Sequence, residues 1–363
     1  MAQNEVRIAC EPLKEFTREV LTRQGMSPEN AETVASVLVW ANLRGVDSHG
    51  VQLLPWYVEA VDIGHMKVKP KIRIEKETPA TLLIDADHAF GAVVTVLAMN
   101  RVMEKAKKVG IGWAFIRQNN HQGAMGYYPL IAAEKGMAGI AWVCGNTTTA
   151  PYGAKFPAVS NSPIAISVPA RRHRPLILDM ATSIAAGAKL FVYKDKGIPL
   201  PEGWVLDKDG NPTTDPGQAS ILIPIAGPKG SGLSIMLECL GSVIVGFPKV
   251  EPVVLKKEKP FGMGPIAGNP DRIRQHIQNS VVAAIDISTF TDVEVYQEHI
   301  DNLIDGLKAL PKAAGFSEIF VPGEPEWRTL DERSQNGIPL PEKTFRNLQG
   351  VAERFNIELP SSL

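Results

Sequence analysis

The residues best suited to proton chemistry cluster in segment 44–50, RGVDSHG, which holds Arg44, Asp47, Ser48 and His49. An imidazole titrates near neutral pH, and a neighbouring hydroxyl can fix its tautomer, so Ser48 and His49 read as a proton-handling pair. The same residues also read as a cap, with Asp47 or Ser48 closing the start of a helix and His49 on its surface. A second imidazole, His121, stands in the polar stretch 118–123, QNNHQG, directly after an apolar run. Loops after strands are where α/β sheets carry ligand groups, although a lone histidine also serves structure. His49 and His121 could share a metal, but no HxH or HExxH spacing is present and no metal site is expected.

Two further stretches carry charge-binding potential. Segment 227–232, GPKGSG, combines glycines with Pro228, Lys229 and Gly230 ahead of an apolar run. Backbone N–H groups, a helix N-terminus and the lysine would together suit a phosphate; a flexible turn before a buried helix is the alternative. The spacing is not that of a Walker A loop. There is no GxGxxG between a strand and a helix, and 262–268, GMGPIAG, has the wrong spacing, so a dinucleotide would bind only in a non-Rossmann way. The basic turn Arg171, Arg172, His173 and Arg174 suits a ribose 2'-phosphate or, equally, a solvated hairpin.

These groups need a frame, and the totals bound it. The chain has 363 residues and a formal net charge of −1, which suggests two domains and argues against nucleic acid or an anionic membrane as partner. The hydrophobic share of 44% suffices for packed cores. Cys10, Cys144 and Cys239 are odd in number and far apart, so a reducing compartment is expected and no disulfide framework. The start of the sequence lacks a basic stretch followed by an apolar run, and the apolar run 233–247 is too short to span a bilayer, so we expect a cytoplasmic protein.

Periodicity predicts helices over 11–25, 28–43 and 49–64, the second opened by Ser27 and Pro28. The Ser48-His49 pair would then lie at a helix junction. Segment 70–79 reads as an extended crossing. Beyond it the pattern becomes α/β: strands at 81–84, 111–116, 137–144, 164–168 and 176–178, and helices at 92–109 and from Tyr127 to Gly136. Asn146 follows the third of these strands and is a candidate substrate contact. Stretch 196–220 reads as a long loop of turns, its Asp207 to Gly210 part a turn rather than a calcium loop. Later come a helix at 233–245, a strand at 281–287, a helix at 293–310, a short strand at 319–321 and a closing helix at 342–355, which would pack back on the N-terminal helices.

The motifs RGVDSHGV, NNHQGAMGYY, GIAWVCGNTTTAPYGA, LDMATS, LPEGWVLDKDGNPTTDP, GPKGSGL and VPGE, in this order and over nearly the whole chain, resemble the malate/L-lactate dehydrogenase family of the second type. That family includes ureidoglycolate and sulfolactate dehydrogenases, diketogulonate reductase and piperideine-2-carboxylate reductase. The resemblance implies an α/β (α+β) fold: a helical domain from both chain ends, here 1–75 with 325–363, and a non-Rossmann mixed-sheet domain, here 76–324, that holds NAD or NADP. It implies an NAD(P)H-dependent oxidoreductase interconverting a small 2-hydroxy acid and 2-oxo acid, or reducing a cyclic imine carboxylate, in a homodimer. His49 then resembles the proton donor, Ser48 and Asp179 its supports, and His121 the acid/base of ureidoglycolate dehydrogenase-like members. Leu178, Asp179, Met180, Pro228, Lys229, Gly230, Gly323 and Glu324 match cofactor-contacting segments, with His121 beside them.

Three departures stand out. Leu53 occupies the place of the family's carboxylate-gripping arginine, Ser160 to Pro163 read SNSP where the family has GTNP, and Pro228 replaces a histidine. Leu53 cannot grip a carboxylate bidentately, so either Arg44 or another cation takes that task or the substrate differs. A non-catalytic nucleotide- or metabolite-binding relative is the competing class. With Arg171 and Arg172 in the basic turn, NADPH is the expected cofactor of the two.

Overall fold

The computed structural model describes residues 5–246 and 277–363; the glycine stretch 262–268 lies outside them. After strand β1 (Val6–Ile8) come helices α1 (Cys10–Arg23), α2 (Pro28–Leu43) and α3 (Leu54–Asp62). Ser27 caps α2 as expected, accepting the Asn30 N–H, with Pro28 at the first helical position. The expected helix over 49–64 is shorter. Asp47–His49 and Val51–Leu53 form two 3-10 turns, and α3 starts only at Leu54. His49 therefore ends a tight turn and does not open a helix.

The sheet consists of β2 (Arg73–Glu77), β3 (Thr81–Asp85), β4 (Ile111–Asn119), β5 (Met137–Cys144), β6 (Ile164–Val168), β7 (Leu176–Met180) and β11 (Gln278–Asp286). Their spatial order is β2-β3-β4-β11-β5-β6-β7. Only β3 and β4 pair in parallel, joined by the crossover helix α4 (Gly91–Val109). Every other neighbouring pair is antiparallel, so the sheet is mixed and is not the doubly wound Rossmann arrangement. Central β11 is buried from Gln278 to Ala284 because both faces are covered. Val282 and Ala284 join Ala114, Ile116, Ala141 and Val143 under α4 and α5 (Tyr127–Ala133). Val281 faces the other way with Trp142 and Cys144, against Leu237 of α7 (Pro228–Glu238). The alternation follows from the two-residue period of a strand.

The stretch expected as a loop of turns holds two strands of a small sheet, β8 (Val205–Leu206) and β9 (Pro212–Thr213), the third, β10 (Ile221–Leu222), lies just beyond it, and α6 (Gly187–Lys196) precedes it. After β11 follow α8 (Val293–Lys308), α9 (Glu324–Asn336), β12 (Ile338–Leu340) and α10 (Glu342–Phe355). No strand forms at 319–321; the last strand is β12, which pairs with β1 and so ties the two chain ends together. One core gathers Leu13, Val20, Leu38 and Leu54 with Ile338, Leu348 and Val351, so α10 packs back on α1 to α3. Each such side chain contributes about 1.5–3 kcal/mol on burial. Among the described residues no helix is long and apolar enough to cross a membrane.

Candidate active site

The Ser-His turn is held from two sides. Asn42, at the end of α2, accepts the Val51 N–H at 2.8 Å and donates to Asp47 at 2.7 Å. Arg333 of α9 donates two hydrogen bonds to the Asp47 carboxylate, at 2.7 and 3.1 Å. Gly50 packs so closely that a Cβ there would lie 2.2 Å from the Asn42 Oδ1. Asp47 is thus an anchor of the turn rather than a proton-transfer group.

The turn delivers His49 to His121. The two rings stack with centroids 5.5 Å apart and planes 21° from parallel, and both residues keep partial exposure. Ser48 Oγ lies 2.8 Å from His49 Nδ1. Desolvation within this cluster pushes the His49 pKa down to about 4, so the ring is neutral near pH 7. His121 sits just past β4 in a loop whose shape is fixed by buried amides. Gln122 donates to Thr95 and Ser280 at 2.7 and 2.8 Å, and Asn120 donates to the His88 carbonyl at 3.1 Å. Helix α4 begins hard against this loop: a Cβ on Gly91 would come within 2.4 Å of the Asn120 and His121 carbonyl oxygens. Behind His121 lies buried Tyr57 of α3, its hydroxyl 2.8 Å from His121 Nδ1, with Trp56 edge-on to the imidazole at 5.3 Å.

Around the end of β7 a second group assembles. Asp179 accepts the Gly126 N–H at 2.7 Å, and that is where its carboxylate is committed, not to Ser48 or His49. Much of Asp179 remains open on the edge strand, yet the carboxyl is crowded enough for desolvation to raise its pKa to about 6. The Gly126 N–H and the Arg44 guanidinium oppose that rise, and Glu326 adds to it. Arg44 is 4% exposed, clasped between the rings of Trp40 and Trp327 at 5.0 and 4.4 Å, and its Nη1 has no hydrogen-bond partner among the described residues. Burial lowers its pKa to about 10.

The other expected site residues divide by location. The Ile177 N–H donates to the Pro322 carbonyl, which brings Gly323 against the strand bearing Leu178, Asp179 and Met180. Just past that strand the Ile225 N–H donates to the Thr182 carbonyl, bringing in the N-terminus of α7. The glycine-rich segment is not a loop before this helix but its first turns: Gly227 is the N-cap, Pro228 opens it, and Lys229 is exposed there. Asn146 belongs to the loop after β5, next to Gly145, whose N–H donates to Ser160. Glu324 is taken up by Lys308, at 2.7 and 2.8 Å, and by Arg328. The basic turn faces α8: Arg172 pairs with Asp301 and Asp305, Arg171 with Glu294, and His173 with Asp305. Asp301, fully buried, also accepts the backbone N–H groups of Arg171, Arg172 and His173. Among the described residues no group of three or more His, Cys, Asp and Glu side chains is arranged to hold a metal ion.

Sequence reasoning missed Asn42, Tyr57 and Arg333. Tyr57 reads as one more core position of α3, and Arg333 lies 286 residues from Asp47, beyond the reach of any local pattern. Leu53, where an arginine was expected, packs against the core shared by both chain ends.

Known proteins of the same build carry this arrangement into a family. The family model for malate/L-lactate dehydrogenase matches residues 8–349. The malate dehydrogenase of Pyrococcus horikoshii is 35% identical, over 98% of this chain and 97% of its own. The ureidoglycolate dehydrogenase (NAD(+)) of Escherichia coli is 28% identical, over 94% and 95%. The solved sulfolactate dehydrogenase from Methanocaldococcus jannaschii superposes with a TM-score of 0.85 at 34% identity, covering 97% of this chain and 98% of that one. With the mixed sheet and the paired histidines in place, the chain belongs to the malate/L-lactate dehydrogenase family, whose enzymes act on the CH–OH group of hydroxy acids.

Proposed function

We propose that this protein interconverts a small 2-hydroxy acid and its 2-oxo acid with a nicotinamide cofactor, and that His49 moves the proton. The observation that carries this reading is the partly exposed His49–His121 stack, with Ser48 on one ring and Tyr57 behind the other. With Nδ1 engaged by Ser48, His49 offers Nε2 to the substrate oxygen. Its lowered pKa makes it a base for the hydroxyl at neutral pH. A bound carboxylate would raise that pKa and so favour the return of the proton to a carbonyl oxygen. His121 stands beside it as the second group within reach of the same oxygen.

The residues around the end of β7 suit a dinucleotide. The α7 N-terminus with Lys229 offers N–H donors and a cation for a pyrophosphate. Leu178, 38% exposed, and Asp179 present an open strand edge beside Gly323. When bound there, the nicotinamide would give or take the hydride. The NAD(+) in the name of the Escherichia coli relative supports this class of cofactor. To hold a 2'-phosphate, Arg171 and Arg172 would have to leave Glu294, Asp301 and Asp305, which favours NAD over NADP.

Arg44 is the candidate for the substrate carboxylate, since its Nη1 is buried and unpartnered among the described residues and Leu53 is apolar. Met236, Val243 and Ile244, 55%, 51% and 56% exposed on and after α7, support a homodimer in which a second copy covers them. A panel of 2-oxo acids and cyclic imine carboxylates, each assayed with NADH and NADPH by nicotinamide absorbance, tests the reading. Poor use of oxaloacetate and pyruvate, the 2-oxo acids of malate and lactate, against good use of another 2-oxo acid is the expected result. No absorbance change with any of them sinks it.

A further inference from the structure

The two imidazoles are bonded differently, and the difference assigns them different work. At His121 Nδ1 two groups converge: the Gly123 N–H at 3.2 Å and the Tyr57 hydroxyl at 2.8 Å. A backbone N–H can only donate. Nδ1 therefore holds its lone pair, its proton sits on Nε2, and the Tyr57 hydroxyl donates as well. At His49 Nδ1 the partner is the Ser48 hydroxyl, which both donates and accepts. That bond survives either protonation state of the His49 ring.

We propose that Tyr57 is a positioning residue that fixes His121 as a neutral imidazole with its proton on Nε2, so that His121 is a constant hydrogen-bond donor to the substrate oxygen while His49 alone exchanges the proton. The proposal rests on the functional reading above and deepens it.

The surroundings of Tyr57 support the assignment. It is 2% exposed on α3, wedged by the ring of Phe90 at 5.5 Å and that of Trp56 at 5.2 Å. Burial drives its phenol further above the usual range, so it stays protonated wherever the enzyme works. Among the described residues, Tyr57 from α3 and His49 from the turn of Asp47–His49 are titratable groups that meet His121. Protonating His121 at Nδ1 would set an N–H against the Gly123 N–H and turn away the Tyr57 proton. His121 thus resists becoming an imidazolium. A packing role alone would need only a phenylalanine at 57; the hydroxyl is the part with a chemical task.

Nitrogen NMR of the histidine rings in the cofactor-free protein reads the tautomer directly, with His121→Gln assigning the signal. The expected result is a neutral His121 with its proton on Nε2 from about pH 8 to about pH 5, through the range where an ordinary imidazole titrates. In Tyr57→Phe the titration should move up towards about 6.5. The same variant should lose about 10- to 100-fold in kcat, as when a group orienting a reacting imidazole is removed, with KM little changed. Its kcat should also gain an acid limb that the parent lacks. A parent His121 that titrates like a free imidazole, or carries its proton on Nδ1, overturns the proposal whether or not the variant folds. A folded Tyr57→Phe with parental kcat and pH profile overturns it too. A parent without dehydrogenase activity overturns the functional reading instead, and the ring titration still decides what Tyr57 does to His121.

Discussion

His121 and His173 each meet a side-chain oxygen at hydrogen-bond distance, 2.8 Å to Tyr57 and 2.7 Å to Asp305, and they sit in opposite surroundings. Judged by residue type, His173 with Asp305 is the more catalytic-looking pair. Yet both members are open to water, with side chains 35% and 47% exposed, and Arg171 and Arg172 beside them pair with acids of the same helix. Exposed ion pairs are worth about 0–1 kcal/mol, because water replaces either partner at small cost. Tyr57 is buried, so water cannot substitute for its hydroxyl, and the proton it places stays placed. Bond length does not separate the two sites; the solvation of the partner does.

The largest effect that would break this contrast is on turnover. His49→Ala should lower kcat by about two to four orders of magnitude, the range for general acid-base catalysis, with cofactor binding kept. His173→Ala should leave kcat near the parent's. Near-full activity in His49→Ala with a dead His121→Ala would exchange the roles of the two rings. The pH profile sharpens the point. A base must be neutral to act, and desolvation holds the His49 pKa at about 4. In the oxidation direction kcat/KM should therefore fall only as pH drops towards about 4, not near the ordinary imidazole value of about 6.5. Any inflection near 6 should vanish in Asp179→Asn, since desolvation raises that carboxyl to about 6.

Next in size is the frame of the turn. A methyl on Gly50 would meet the Asn42 amide, so Gly50→Ala should cost about 1–3 kcal/mol in denaturant unfolding and lower activity with it. Parental stability would mean that Asn42 moves aside freely and that the turn is looser than its bonds imply. Lys229→Ala should weaken cofactor binding by about 1–2 kcal/mol in a fluorescence titration, and unchanged affinity would remove the α7 N-terminus from the cofactor site. The smallest effect belongs to the basic turn. Arg171→Ala with Arg172→Ala should change stability by less than about 1 kcal/mol and leave the NADH to NADPH ratio alone. A selective rise in the NADPH KM would show that these arginines leave α8 to hold a phosphate.

Several features were legible in the chain because they are local. The Ser27-Pro28 start of α2, the strand at 137–144 and the closing helix at 342–355 follow from capping and periodicity, whose causes lie within a few residues. The motifs around Ser48-His49, His121 and Lys229 carried the family for the same reason. Tertiary structure alone decided the rest. The sequence gives no sign that Asp47 meets Arg333, that Asp179 bonds Gly126 in place of His49, or that β12 rather than 319–321 is the last strand, because those outcomes depend on which distant groups share a surface. Above all, it does not say which imidazole keeps its proton. That depends on a backbone N–H and a buried hydroxyl converging on one nitrogen. Tyr57 reaches it from 64 residues away, and only folding excludes the water that would otherwise take its place.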